Sequence, residues 1–294
     1  MYIIYALAAA LFSGLTSVFA KSGINKENSL LATFIRTIVI TLFLFIVVLF
    51  KNNLNDILSL DKKTILFLVL SGISNTLLWI CYFKALDLGS VSKVTPIDKT
   101  SIILTLVLSS IFLHEKITII KVISIILILT GTLLTIKREN EDSKDNKWIL
   151  YAVLTAIFTS TTTVISKVGI ESINTSLTTF LRTIIVLILL TIITLFKKKF
   201  KDIKKLNKKN YLFIILSGIS TSLSWLFYFA SLSLGEASVV FPIEKLSLVV
   251  SILASTIFLK EKLNKKQRLG IIIIVIGTFL LFFWRTSRFL YNLL

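Results

Sequence analysis

Cysteine, histidine and methionine each occur once in 294 residues, and proline only twice. The lone Cys81 excludes an internal disulfide and any cysteine-built metal cluster. One His114 beside it cannot supply an H-E-x-x-H centre or most nucleophile–base pairs, so neither a metal nor a cofactor is expected. Charge is scarce as well. Only 16% of the residues are charged, well below the roughly one quarter of a soluble domain, and acids number 15 against 33 Lys and Arg.

What fills the chain is apolar: 55% hydrophobic residues and a mean hydropathy of +0.90. The net charge of +18 would suggest nucleic acid in a soluble protein. Here the lysines sit in the gaps between apolar runs, as in KKKFKDIKKLNKK, residues 197–209, and no basic stretch is interleaved with exposed aromatics. The basic gaps read instead as topology signals and as contacts with the anionic headgroups of membrane lipids, with no nucleic-acid partner.

The stretch SGISNTLLWICYFKALDLGSVSKVTPIDKTSIILTLVLSSIFLHEK, 71–116, returns without a gap as SGISTSLSWLFYFASLSLGEASVVFPIEKLSLVVSILASTIFLKEK, 217–262, nearly half the paired positions being identical. Every pair lies 146 positions apart, and the offset extends outward: Arg36 falls on Arg182, Lys21 on Lys167, Gly131 on Gly277. The chain is one unit written twice.

Each unit carries five apolar runs long enough to cross ~30 Å of hydrocarbon at ~1.5 Å per residue. They are 2–20, 29–50, 64–86, 91–113 and 118–136 in the first, and 148–166, 175–196, 210–232, 237–259 and 264–284 in the second. The first run has a partner in mid-chain and no basic residue before it, so it reads as a retained span rather than a secretory signal. Trp148 and Trp284 stand at span ends, a position that suits an indole at the headgroup boundary. The expected organisation is a first repeat over 1–137, a polar linker over 138–147 and a second repeat over 148–294. The fold class is all-α and integral to the membrane, with ten transmembrane helices.

Five is an odd number, so the second copy must enter the bilayer from the opposite side. Inverted repeats are the sequence sign of alternating-access transporters, whose substrate site lies near mid-membrane where the repeats meet. The short gaps leave no room for a soluble catalytic domain. A polytopic enzyme acting on a lipid-linked substrate is the alternative from another class. A passive channel would want rings of like charge or a carbonyl filter, and neither is present.

The repeated pattern W-x-x-Y-F, a small-residue turn, P-I-[DE]-K and F-L-x-E-K resembles the EamA domain of the drug/metabolite transporter superfamily, across both halves. The resemblance implies a ten-helix carrier of small organic metabolites in the plasma or inner membrane, often working outward, with a central cavity lined by both repeats. Monomer and homodimer are both compatible with it.

Ionisable side chains within spans are costly, roughly 3 kcal/mol each at the centre, and so need a partner or a wet cavity. Arg36 and Arg182 lie about two turns into matched spans and either face the cavity or snorkel to an interface. Asp98-Lys99 and Glu244-Lys245 follow Pro96 and Pro242. If a helix starts at Thr95, proline takes the first helical position and the acid caps it; if it starts near Ser92 and Ser238, the prolines kink a span. Each acid then becomes a candidate arginine partner or proton carrier, with protons as the coupling ion. Trp79 with Tyr82, and Trp225 with Tyr228, are spaced by three, which places each pair on one helix face, able to stack on a flat or cationic substrate. Ser71, Ser74, Asn75, Ser217, Ser220 and Thr221 share those spans and favour close packing or ligand hydrogen bonds. Glu115 and Glu261, at the far ends of spans four and nine, are candidate gate residues. His114 has no repeat partner and reads as a solvated loop residue.

Overall fold

In hydrocarbon a backbone must satisfy its own polar groups, and a chain of apolar runs without β-pairing signals does so as helices. The computed structural model describes residues 1–23, 29–52, 54, 56–57, 60–89, 91–136, 146–170, 174–197, 206–258, 260 and 263–291. Glu261, Lys262 and linker residues 138–145 lie outside the described residues, as does the side chain of Trp284. The elements are α1 (Tyr2–Gly23), α2 (Ser29–Phe50), α3 (Lys62–Leu88), α4 (Val91–Lys99), α5 (Ser101–Phe112) and α6 (Ile119–Thr135), then α7 (Lys147–Ile170), α8 (Thr175–Phe196), α9 (Lys208–Leu234), α10 (Ala237–Glu244), α11 (Leu246–Phe258) and α12 (Lys265–Tyr291). Counting the broken pairs α4/α5 and α10/α11 once each, the described residues form ten helical segments. Eight of them are long and apolar enough to cross a membrane; α6 is apolar but shorter, and α12 packs along it.

Polar residues at the helix starts hold the free N–H groups. The Asp61 carboxylate accepts from Thr64 N at 3.1 Å, Asn174 from Ser176 N at 3.2 Å, and Asn207 and Asn210 bond reciprocally at 2.9 and 3.1 Å. Lipid-facing surfaces of the same helices are apolar: Ile4, Leu42, Ile126, Ile188 and Ile272 are all exposed. Threonines within spans return their hydroxyl to the carbonyl four residues back, as Thr155, Thr159 and Thr163 do in α7, which satisfies these donors within their own helix.

Equivalent helices run in opposite senses. Leu31 and Phe34, early in α2, cluster with Val186 and Leu190, late in α8, whereas Ile40, Leu44 and Val48 cluster with Leu177 and Phe180. In the same way, α6 and α12 cross at Gly131 and Gly270, where a Cβ on either would stand 2.6 Å from the other's carbonyl oxygen; only glycine permits that approach. The halves are therefore inverted copies. They also exchange identical contacts: Ser220 donates to the Phe12 carbonyl at 2.8 Å, and Ser74 to the Phe158 carbonyl at 3.2 Å. Along α1 and α9 this becomes a seam, with Ser224 bonded to Ala9 O at 3.0 Å and Ser231 to Tyr2 O at 2.7 Å. Small residues bring the helices close enough for side chain to reach backbone.

Candidate substrate cavity

Both prolines lie inside helices, Pro96 in α4 and Pro242 in α10, because those helices begin at Val91 and Ala237. The chain therefore takes the earlier of the two possible helix starts. A proline provides no N–H for the carbonyl four residues before it, and each helix ends within a turn. Thr100 N and Lys245 N reach only the third residue back, bonding Ile97 O at 3.1 Å and Pro242 O at 3.0 Å. The breaks leave Asp98-Lys99 and Glu244-Lys245 at the ends of half-helices. Discontinuous helices of this kind place polar groups inside a membrane protein.

Between the halves lies a cavity of about 450 Å³. It is walled by residues of both repeats: Trp79 and Tyr82 from α3, Asp98 and Lys99 from the first break, Arg182 from α8, Trp225 and Tyr228 from α9, and Glu244 and Lys245 from the second break. Within each break the neighbours pair, Lys99 with Asp98 at 2.7 Å and Lys245 with Glu244 at 3.0 Å. Ser13 donates to Glu244 at 3.0 Å, Lys245 Nζ lies 3.9 Å from the centre of the Phe241 ring, and Lys99 is within electrostatic reach of Glu244. Trp79 meets Tyr82 edge-on with centroids 6.2 Å apart, and the Tyr228 hydroxyl is 3.4 Å from that of Thr163.

The two matched arginines part company here. Arg182 lines the cavity, 4% exposed, its guanidinium 4.4 Å from the Phe229 ring centre and 5.1 Å from that of Trp225, with one nitrogen donating to Ser166 at 3.2 Å. Arg36 is half-buried over Trp79 at 5.6 Å and does not line the cavity. α7 adds a hydroxyl wall that the repeat motifs do not mark: Thr155, Thr159, Thr162, Thr163 and Ser166. Its signal is there, since those positions recur at three- and four-residue steps along one helix face.

Away from the cavity, Glu115 reaches across the halves. Its carboxylate accepts from Ala237 N at 2.6 Å, from Ser238 N at 2.9 Å and from the Ser238 hydroxyl, so it caps the positive amino end of α10. His114, in the left-handed region at φ 53, turns the chain at the end of α5, and Glu115 N returns to Ser109 O at 3.2 Å. Beside the cap, the fully buried Lys121 donates to Lys116 O at 2.9 Å, to the Ser238 hydroxyl at 2.8 Å and to Glu236. Successive passes alternate in direction, so the α5–α6 and α9–α10 turns share the membrane face from which α1 starts. Trp148, expected at the headgroup boundary, is half-buried against Gly89, as its counterpart Tyr2 packs on Gly235.

Inverted five-helix halves, broken helices and a polar central cavity describe a scaffold that known proteins share. A model of the EamA-like transporter family matches residues 1–137 and 146–283. The chain belongs to the EamA-like transporter family. It is 28% identical over 271 residues to "Uncharacterized transporter YxxF" of Bacillus subtilis (strain 168), covering 88% of this chain and 84% of that protein. It is also 37% identical over 134 residues to an "Uncharacterized transporter in cobO 3'region" of Sinorhizobium sp, a match covering 46% of this chain and 95% of that protein. A solved structure titled only "Crystal structure of protein" superposes with a TM-score of 0.82 at 14% identity, over 95% of this chain and 94% of the other, and so shares the fold. This EamA-like chain is accordingly a multi-pass membrane transporter, not an enzyme.

Proposed function

We propose that this transporter carries small organic metabolites outward across the cell membrane by alternating access, the two inverted halves rocking about the central cavity. The observation that carries this reading is the cavity itself: about 450 Å³, walled by both repeats and crossed by both helix breaks. Its size falls in the range of small-molecule sites, ~300–1,000 Å³. Trp79, Tyr82, Trp225 and Tyr228 supply the walls that a solute packs against, and the acids Asp98 and Glu244 are the groups that exchange a coupling proton. Arg36, beneath Trp79, positions that ring from outside the cavity.

Glu115 acts as the gate on the face from which α1 starts. Its carboxylate and the buried Lys121 hold the α10 amino end against the α5–α6 turn, and opening that face requires these bonds to break together. The test is counterflow in proteoliposomes. A solute that the purified protein exchanges is expected to show saturable uptake, accelerated by an excess of the same solute preloaded on the trans side and inhibited by an excess on the cis side. Linear, unsaturable entry, or none with any solute, would overturn the carrier reading.

A further inference from the structure

Resting on that carrier reading, the charge pattern of the cavity carries one step more. Two of its three cations have acids beside them: Lys99 has Asp98 at 2.7 Å and Lys245 has Glu244 at 3.0 Å. Arg182 does not. Among the described residues it meets the Ser166 hydroxyl and the faces of Trp225 and Phe229, with the Tyr228 hydroxyl within electrostatic reach; none of these is an acid like Asp98 or Glu244, which leaves the cavity with one positive charge uncompensated. A guanidinium cannot shed its proton to escape burial, so the imbalance persists until a ligand relieves it.

A second observation points the same way. Two of the buried side-chain atoms without a hydrogen-bond partner belong to cavity-lining residues, Nδ2 of Asn75 and Nε of Arg182. Both are N–H donors. A buried orphan donor favours a ligand that brings acceptors, and a planar fork of donors matches a carboxylate. A dianion would overshoot the single unmatched charge, and a cation would add to it. Along the cavity wall, aromatic rings from both halves, Trp79 and Tyr82 and Trp225 and Tyr228, suit a flat, unsaturated body.

We infer that the transported solute is a small organic molecule bearing one carboxylate, held by Arg182 with Asn75 as an auxiliary donor, its flat body lying against the tryptophan and tyrosine rings.

The test uses the purified full-length protein and three matched probe sets: indole-3-acetate, phenylacetate and benzoate, each beside its amide and its corresponding amine. Carboxylates are expected to raise the melting temperature and to bind about tenfold or more tighter than their amides, with no stabilisation by the amines. R182Q is expected to abolish the preference for carboxylate over amide. N75A is expected to weaken carboxylate binding several-fold while folding normally, which keeps the idea testable should R182Q fail to fold. Equal binding of amide and carboxylate, tighter binding of an amine, no shift with any carboxylate, or a preference that survives in R182Q would each overturn the assignment. Counterflow of an amide or amine would do so while leaving the carrier reading intact; no exchange of any solute would remove both.

Discussion

The Glu115 carboxylate accepts two bonds from Ser238, one from its backbone N–H at 2.9 Å and one from its hydroxyl, although the residues lie in opposite halves of the chain. A charged cap that crosses between two moving bodies stabilises only the arrangement in which they meet. E115Q keeps the shape and removes the charge. It is expected to cost about 2 kcal/mol of stability and, on a Cys81→Ser background, to raise the labelling rate of a cysteine placed at Ala237. Unchanged labelling would make Glu115 a static cap.

Lys121 is fully buried, and its repeat counterpart is the neutral Gln267, which bonds Thr135 O at 3.3 Å. K121M leaves Glu236 without that cation and the Ser238 hydroxyl without that donor. It is expected to destabilise the protein by about 3 kcal/mol, whereas K121Q, which copies the other half, should cost less. Thermal unfolding in detergent measures the difference; equal losses for both variants would mean that a neutral amide replaces none of the ammonium's bonds.

Asp98 and Glu244 each hold a lysine at the cavity wall. D98N and E244Q are expected to abolish coupled exchange in proteoliposomes while the protein still folds. Wild-type flux in both variants would reduce the acids to structural caps.

The α6–α12 crossing depends on the absence of side chains at Gly131 and Gly270. G131A must push the helices apart, because the new methyl would sit 2.6 Å from backbone. A loss of about 1–3 kcal/mol is expected, and G131L should prevent stable folding. Native melting behaviour in G131L would show that the helices part freely.

Much of this scaffold was legible in the repeat. The offset of 146 and the odd number of spans already required inverted halves, and the antiparallel packing of α2 on α8 is the direct consequence. The helix breaks were not decidable, since proline fits both a first helical position and a kink, and the choice depended on whether Ser92 or Thr95 opened the helix. Repetition also hid differences. Arg36 and Arg182 sit in nearly the same sequence context, yet only Arg182 lines the cavity, while Arg36 lies over the Trp79 ring. The pairing of Lys121 with Glu236 is hidden for the opposite reason: neither matches a like residue in the other copy, and no local pattern joins residues 115 positions apart.

Because counterpart helices lie head to tail, a free-standing module the length of one repeat could rebuild this architecture only by inserting both ways round in equal numbers. Covalent fusion removes that requirement by fixing the stoichiometry at one of each. It also frees the copies to diverge, so that a lysine such as Lys121 could arise at one end of the molecule without being imposed on the other.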